Sequence, residues 1–276
     1  MKQPKLLIIL RHAVLLTFVA ISVYPALNVL SVSIRPGNQL RSTDLTIIPA
    51  DWTLNNYFAI FNEHPFLRWL GNSLLVSTVV TLTGVALASI GGYAFSRFRF
   101  VGRQSLLVSI LTTQMFPATM LLLPLYILVA QLHLLDTYLG LMIFYTSIAL
   151  PFCVWQMKGF YDTIPVSLED AARVDGCTRT EVFWRVTLPL AVPGLVITAL
   201  FSFMTAWSEY IVAAQVMQVE EMFTLPLGLK SLQTNMSTDW GLYAAAAILV
   251  SLPVIVIFLL LSRYLVTGLT LGSVKE

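Results

Sequence analysis

Six long apolar stretches dominate the sequence and determine the environment in which the chain can fold. They cover residues 13–34, 72–95, 106–130, 138–157, 190–216 and 240–261. Each is at least as long as the roughly 20 residues that an α-helix needs to cross a bilayer. Since lipid offers no hydrogen-bond partners, each segment must satisfy its own backbone groups and form a helix. The pattern therefore predicts an all-α membrane protein with about six transmembrane helices.

The composition supports this environment. Charged residues make up 11% of the 276 residues and apolar types 57%, whereas soluble domains carry about 25% charged residues. So few charges cannot cover the surface of a soluble fold. The stretch 13–34 exceeds the apolar core of a secretory signal, about 7–15 residues, so we expect a retained helix. We expect one transmembrane domain over residues 1–276.

Lysine and arginine predict the orientation. Threading six helices from a cytoplasmic N-terminus leaves four of the 16 Lys and Arg residues outside, namely Arg35, Arg41, Arg68 and Lys230. The other twelve lie inside, and cytoplasmic loops carry an excess of these residues. The sequence therefore predicts that both termini are cytoplasmic.

Small residues at intervals of four mark one face of the second stretch. They are Gly84, Ala88, Gly92 and Ser96. Such residues let two helix backbones approach closely. We expect this face to pack tightly, either within the chain or against a partner subunit.

The predicted cytoplasmic loop 158–189 is the most charged part of the chain. Ser167 is expected to cap a helix in a capping box with Asp170. This helix would run to Asp175 and end at Gly176, because glycine readily adopts the left-handed conformation that ends helices.

A second short helix follows in the same loop. Thr178 and Glu181 have the spacing of another capping box, and the helix is expected to run towards Leu188 before Pro189 opens the fifth stretch. Spacing alone leaves a solvated connecting loop and a projecting functional element as equal alternatives.

The residue identities in this loop carry a resemblance. Residues 168–176 read Leu-Glu-Asp-Ala-Ala-Arg-Val-Asp-Gly, and after nine further residues 186–189 read Val-Thr-Leu-Pro. This resembles the signature of type I ATP-binding cassette (ABC) importer permeases, which is Glu-Ala-Ala, three residues, Gly, nine residues, Ile, one residue, Leu-Pro. Asp170 replaces the glutamate of the signature and Val186 replaces its isoleucine.

The resemblance extends over nearly the whole chain and is strongest to carbohydrate permeases. Tracts 52–57, 132–141 and 265–275 resemble the smaller permease subunit of maltose-type importers. The resemblance implies a sugar permease with maltose or a maltooligosaccharide as substrate. Trehalose, another oligosaccharide and glycerol phosphate remain alternatives.

The resemblance also implies partners and roles for individual residues. The partners are a second homologous permease subunit, an ATP-binding subunit dimer and an extracytoplasmic solute-binding protein, assembled at the bacterial inner membrane. The residues expected to couple the chain to the ATPase are Glu169, Asp170, Ala171, Ala172, Asp175, Gly176, Leu188 and Pro189. The tail residues expected to contact the ATPase subunits are Gly268, Leu269, Thr270, Gly272 and Lys275. This chain ends in Glu276, where relatives often end in glycine.

ATP hydrolysis is expected in another subunit. The sequence contains no Gly-x-x-x-x-Gly-Lys-Ser/Thr phosphate-binding loop. We expect a non-enzymatic subunit without cofactor or metal.

Glu209 is the one acidic residue inside a predicted span. With Trp207 and Gln114 it is a candidate for the transport pathway. For Glu209 the alternative is an interfacial acid, and for Gln114 it is an interhelical hydrogen bond. An ion-driven transporter places ionisable groups near the midplane, and only Glu209 qualifies. An intramembrane enzyme needs a nucleophile with a base or a metal cluster, and no histidine lies within the spans.

Overall fold

The computed structural model describes residues 5–37, 48–116, 118–233 and 238–271. These residues form helices joined by turns and loops, without a strand. The α-helices are α1 (Lys5–Ser33), α2 (Asn55–Glu63), α3 (Phe66–Arg97), α4 (Arg103–Thr113), α5 (Ala118–Gln131), α6 (Tyr138–Thr163), α7 (Val166–Val174), α8 (Arg179–Val182), α9 (Leu188–Leu190), α10 (Val192–Ser208), α11 (Ile211–Val216), α12 (Leu225–Ser231) and α13 (Trp240–Leu271). The prediction of an all-α chain is confirmed.

Within the described residues, four helices are long and apolar enough to cross a membrane: α1, α3, α6 and α13. A fifth span results if the bent pair Arg179–Leu190 and Val192–Ser208 is taken together, with 76° between its two helices. The predicted number of six is therefore approximate.

The predicted span 106–130 is interrupted. Helix α4 ends at Thr113 and α5 begins at Ala118. The N–H groups of Gln114 and Met115 bond to carbonyls three residues back, which tightens the chain into turns. The sequence has a proline at position 117, and proline disfavours helical geometry in the residue before it. The apolar run alone concealed this break.

The predicted span 190–216 is also wrong as one helix. The chain bends at Ala191, and α10 ends at Ser208 because Glu209 adopts an extended conformation with φ −75° and ψ 126°. The Glu209 carboxylate accepts hydrogen bonds at 3.0 and 3.1 Å from the N–H of Val212 in α11. The expected continuous helix is therefore replaced by a separate helix, α11, whose first turn is hydrogen-bonded to Glu209.

The described chain contains two compact units. The first comprises residues 1–67 and 229–252, and the second residues 68–228 and 253–276. In the first, the Asn56 side chain donates hydrogen bonds to the carbonyls of Ser33 and Arg35 at 2.9 and 3.1 Å. The expectation of one transmembrane domain stays a prediction.

The small-residue face of α3 packs inside the second unit. A Cβ atom added at Gly84 would lie 2.9 Å from Oγ of Ser202, and one at Gly92 would lie 2.7 Å from Cβ of Met157. The face therefore contacts α10 and α6 within this chain. The prediction of tight packing is confirmed for these two glycines.

Candidate coupling site

Helix α7 begins earlier than the sequence predicted. Pro165 is its N-cap residue, and no side chain caps the first turn. The proposed capping box of Ser167 and Asp170 is therefore wrong. Because the proline ring fixes φ near −65°, it suits a helix start two residues before Ser167. Asp170 instead forms an ion pair with Arg173, one turn further along.

The end of α7 agrees with the sequence. Gly176 has φ +94°, and its N–H bonds to the carbonyl of Arg173 at 3.1 Å. The N–H of Cys177 bonds to the carbonyl of Ala172 at 3.0 Å. This pair of bonds is the Schellman motif, which requires a left-handed residue at the position of Gly176.

The second predicted capping box is present. The N–H of Glu181 bonds to Oγ1 of Thr178 at 3.3 Å, and the N–H of Thr178 bonds to the Glu181 carboxylate at 2.9 Å. The hydrogen bond from the Thr178 backbone, then the Thr178 hydroxyl and the charge of Arg185, lower the pKa of Glu181. The box thus fixes the start of α8.

Helix α8 continues into a wider turn. Phe183–Thr187 is π-helical, and Leu188–Leu190 then leads to the bend at Ala191. Single π-helical turns occur frequently at functional sites. The predicted helix towards Leu188 is therefore present, but with a π-helical turn that the sequence did not reveal.

One side chain of α7 is a buried carboxylate. Glu169 is 5% exposed. One of its oxygens accepts from Nε of Arg97 at 2.7 Å and from the hydroxyl of Thr187 at 3.0 Å. Its other oxygen accepts from the hydroxyl of Tyr93 at 3.1 Å. A buried charge requires such pairing, so these four side chains form one polar cluster that we call the Glu169 cluster.

This cluster was not predicted from the sequence. Arg97 counted there only as a positive charge for orientation, and Tyr93 and Thr187 had no assigned role. An arginine at the last turn of α3 and an acidic loop were visible in the sequence. Their pairing depends on how α3 and α7 pack, which no local pattern records.

The other residues expected to couple the chain have different surroundings. Asp170, Ala171, Asp175, Gly176 and Pro189 are exposed, whereas Ala172 and Leu188 are half-buried. Glu169 is therefore buried inside the fold, whereas most of the other residues expected to couple the chain lie on an exposed face of the loop. The apolar members of that face are Val166, Leu168 and Val174, with 49%, 46% and 88% exposure.

The candidate pathway residues lie in dissimilar places. Trp207 is buried and stacks on Phe203, with ring centroids 5.3 Å apart. Glu209 is half-buried at the start of α11. Gln114 is exposed and donates a 2.8 Å hydrogen bond to the carbonyl of Ile148 in α6. Within the described residues, no group of three or more His, Cys, Asp or Glu residues is arranged to hold a metal ion.

The multiple long apolar helices define a multi-pass membrane protein. Residues 81–270 match the family described as "Binding-protein-dependent transport system inner membrane component". The chain belongs to this family of multi-pass inner-membrane proteins.

Two relatives illustrate the branch of the family. The diacetylchitobiose uptake system permease protein DasC of Streptomyces coelicolor is 34% identical over 253 residues, covering 92% of each chain. The maltose/maltodextrin transport system permease protein MalG of Escherichia coli K12 is 36% identical over 292 residues, covering 99% of this chain and 98% of MalG. The chain is a permease of a sugar ABC importer.

A solved structure shares the fold. It is a chain of a bacterial ABC transporter involved in the import of the acidic polysaccharide alginate, with a TM-score of 0.80 and 24% identity. The match covers 95% of this chain and 97% of the other. The architecture is therefore that of an ABC importer permease.

Proposed function

We propose that this subunit conducts maltose or a maltooligosaccharide from an extracytoplasmic binding protein into the cytoplasm. The proposal is supported by 36% identity to MalG over 99% of the chain and by the carbohydrate-type tracts at 52–57, 132–141 and 265–275. The substrate moves through the bundle while a separate subunit hydrolyses ATP.

One observation carries the coupling role of α7. Of its nine residues, all described, Glu169 alone is buried. Leu168 and Val174 remain exposed beside the acidic Asp170 and Asp175. A short helix with an outward apolar edge fits a groove on a partner protein. Residues 170–176, with Leu188 and Pro189 at the base of the loop, form the proposed contact with the ATPase, and the buried Glu169 belongs to the coupling element without reaching its surface.

The wider assembly follows from the same proposal. A second homologous permease completes the pathway, and two ATP-binding subunits dock on the cytoplasmic side, where both termini lie. The tail residues Gly268, Leu269 and Thr270 lie at the C-terminal end of α13 and form the proposed contact of the tail with these subunits. Gly272 and Lys275 lie outside the described residues.

Uptake by the reconstituted complex tests the energy source. Proteoliposomes containing both permeases, the ATPase and the binding protein are supplied with ATP and labelled maltose while ionophores collapse the ion gradients. We expect ATP-dependent uptake to continue. Uptake that requires a proton or sodium gradient overturns the proposal and favours an ion-driven transporter.

A second substrate has its own support. DasC is named for diacetylchitobiose and is 34% identical to this chain, so an amino-sugar disaccharide is a specific competitor of maltose. The decisive measurement is calorimetric titration of the partner binding protein with maltose, maltotriose and diacetylchitobiose. Tight binding of diacetylchitobiose alone overturns the maltose assignment and leaves the permease assignment intact.

A further inference from the structure

The Glu169 cluster joins three helical segments that are separate in the sequence. Glu169 lies on α7, Arg97 and Tyr93 on α3, and Thr187 at the end of the π-helical turn. We propose that Glu169 and Arg97 are the positioning residues that tie α7 to the helix bundle and transmit its movement. This inference rests on the proposed coupling role of α7.

Apolar packing contributes little to holding α7. Val166, Leu168 and Val174 are exposed, and Ala172 is only half-buried. Most helices are held by burying an apolar stripe, but the one buried side chain of α7 carries a charge. The attachment of α7 therefore depends on the hydrogen bonds of one carboxylate.

Arg97 gives this attachment a rigid base. Nη2 of Arg97 donates to the carbonyl of Ile164 at 2.9 Å, and Nη1 donates to Oγ of Ser96 at 3.0 Å. Ile164 is the C-cap residue of α6. The planar guanidinium holds several acceptors in fixed directions, so it fixes Glu169 relative to both α3 and α6.

Thr187 extends the connection towards α10. It is fully buried and immediately precedes α9 and the 76° bend. Its hydroxyl shares Oε1 of Glu169 with Arg97. Displacement of α7 therefore pulls on the π-helical turn and on the end of α3 together. Packed elements with two discrete arrangements carry such coupling.

Distance measurements between spin labels test the attachment without the ATPase. Labels are placed at Val174→Cys in α7 and Gly159→Cys in α6, in a Cys177→Ser background, with the chain and its partner permease in nanodiscs. Val174 is 88% exposed, and apart from the adjacent residues and the backbone of α6 itself no atom lies within 4 Å of a Cβ at Gly159. We expect one narrow distance distribution, which broadens in Glu169→Gln and Arg97→Lys.

Arg97→Lys keeps the positive charge beside Glu169. It can therefore be measured even if Glu169→Gln fails to insert into the membrane. Lysine cannot bond Glu169 and Ile164 in the geometry of the guanidinium fork. Arg99→Gln, at an exposed arginine two residues away, is the control and should leave the distribution unchanged. A distribution that stays narrow in Arg97→Lys overturns the inference.

Transport measurements then separate this inference from the proposed function. In the complete reconstituted complex, sugar uptake by Glu169→Gln should fall by about tenfold, within the usual range of coupling between sites. Sugar uptake should also fall in Arg97→Lys, and uptake by Arg99→Gln should match that of the unmodified complex. Undiminished uptake by Arg97→Lys refutes the positioning role, whereas an unmodified complex without ATP-dependent uptake refutes the proposed function instead.

Discussion

The hydroxyl of Thr187 donates to Oε1 of Glu169 at 3.0 Å, across 18 residues of sequence. The same oxygen accepts from Arg97 at 2.7 Å. The buried carboxylate of Glu169 therefore joins the two ends of the loop between α6 and α10 and binds them to α3. The exposed residues of the loop remain available to a partner protein.

Thr187→Val should destabilise the chain. Valine has nearly the same shape but removes a donor to a buried charge, at a cost of about 1.5–3 kcal/mol. The thermal unfolding midpoint in detergent should fall accordingly. Thr180→Val, at an exposed position of α8, should leave the midpoint nearly unchanged. Equal midpoints for the two variants would contradict the role given to the Thr187 hydroxyl.

Gly176→Pro should leave the chain inserted in the membrane but abolish ATP-dependent uptake. Proline fixes φ near −65°, whereas Gly176 has φ +94° and donates its N–H to Arg173. The end of α7 must therefore reorganise. Gly176→Asn, which keeps the N–H and tolerates positive φ, should retain most uptake. If Gly176→Pro transports normally in proteoliposomes, the shape of this helix end is irrelevant to coupling.

Leu168→Asp should reduce uptake without weakening the fold. Leu168 is 46% exposed in the first turn of α7, where an acidic side chain is favoured by the helix dipole. A loss of uptake therefore indicates that α7 no longer docks on the ATPase. Val101→Asp places the same charge on a fully exposed valine outside α7 and should transport normally. Uptake and unfolding midpoint are measured on the same preparations, and equal uptake by the two variants would refute docking at Leu168.

Gly92→Ala should lower stability by about 1–3 kcal/mol, the usual cost of overpacking. The added Cβ would lie 2.7 Å from Cβ of Met157 and 2.8 Å from the backbone nitrogen of Lys158. Gly71→Ala, also in α3 but with no atom from outside the adjacent helix backbone within 4 Å of the new Cβ, should be neutral or stabilising. Thermal unfolding of the two variants decides the point, and a stabilised Gly92→Ala would show that α3 and α6 are not in close contact.

The sequence predicted features that depend on local chemistry. The glycine end of α7 and the capping box of Thr178 and Glu181 each arise within a few residues, and the apolar runs are continuous in the sequence. The breaks near Gln114 and at Glu209 were missed because an apolar average is insensitive to single residues that end a helix. The Ser167 cap was wrong because Pro165 starts the helix first.

The candidate site was only partly predictable for a related reason. A signature in sequence located α7 and its exposed residues. It did not reveal that Glu169 turns inward, because that requires Arg97, Tyr93 and Thr187 to converge from α3 and the π-helical turn. Sequence periodicity records which face of a helix is apolar. It contains no information about a charged side chain that is buried against a distant arginine.

Cross-linking of α7 to the ATPase tests whether this helix is the docking element. A photoreactive amino acid replaces Ala171, an exposed residue of α7, in the complete complex in proteoliposomes, and the products are identified by mass spectrometry. We expect a cross-link to the ATP-binding subunit whose yield changes when ATP is added. A cross-link only to the extracytoplasmic binding protein, or no cross-link to the ATPase in a complex that imports sugar, would contradict it.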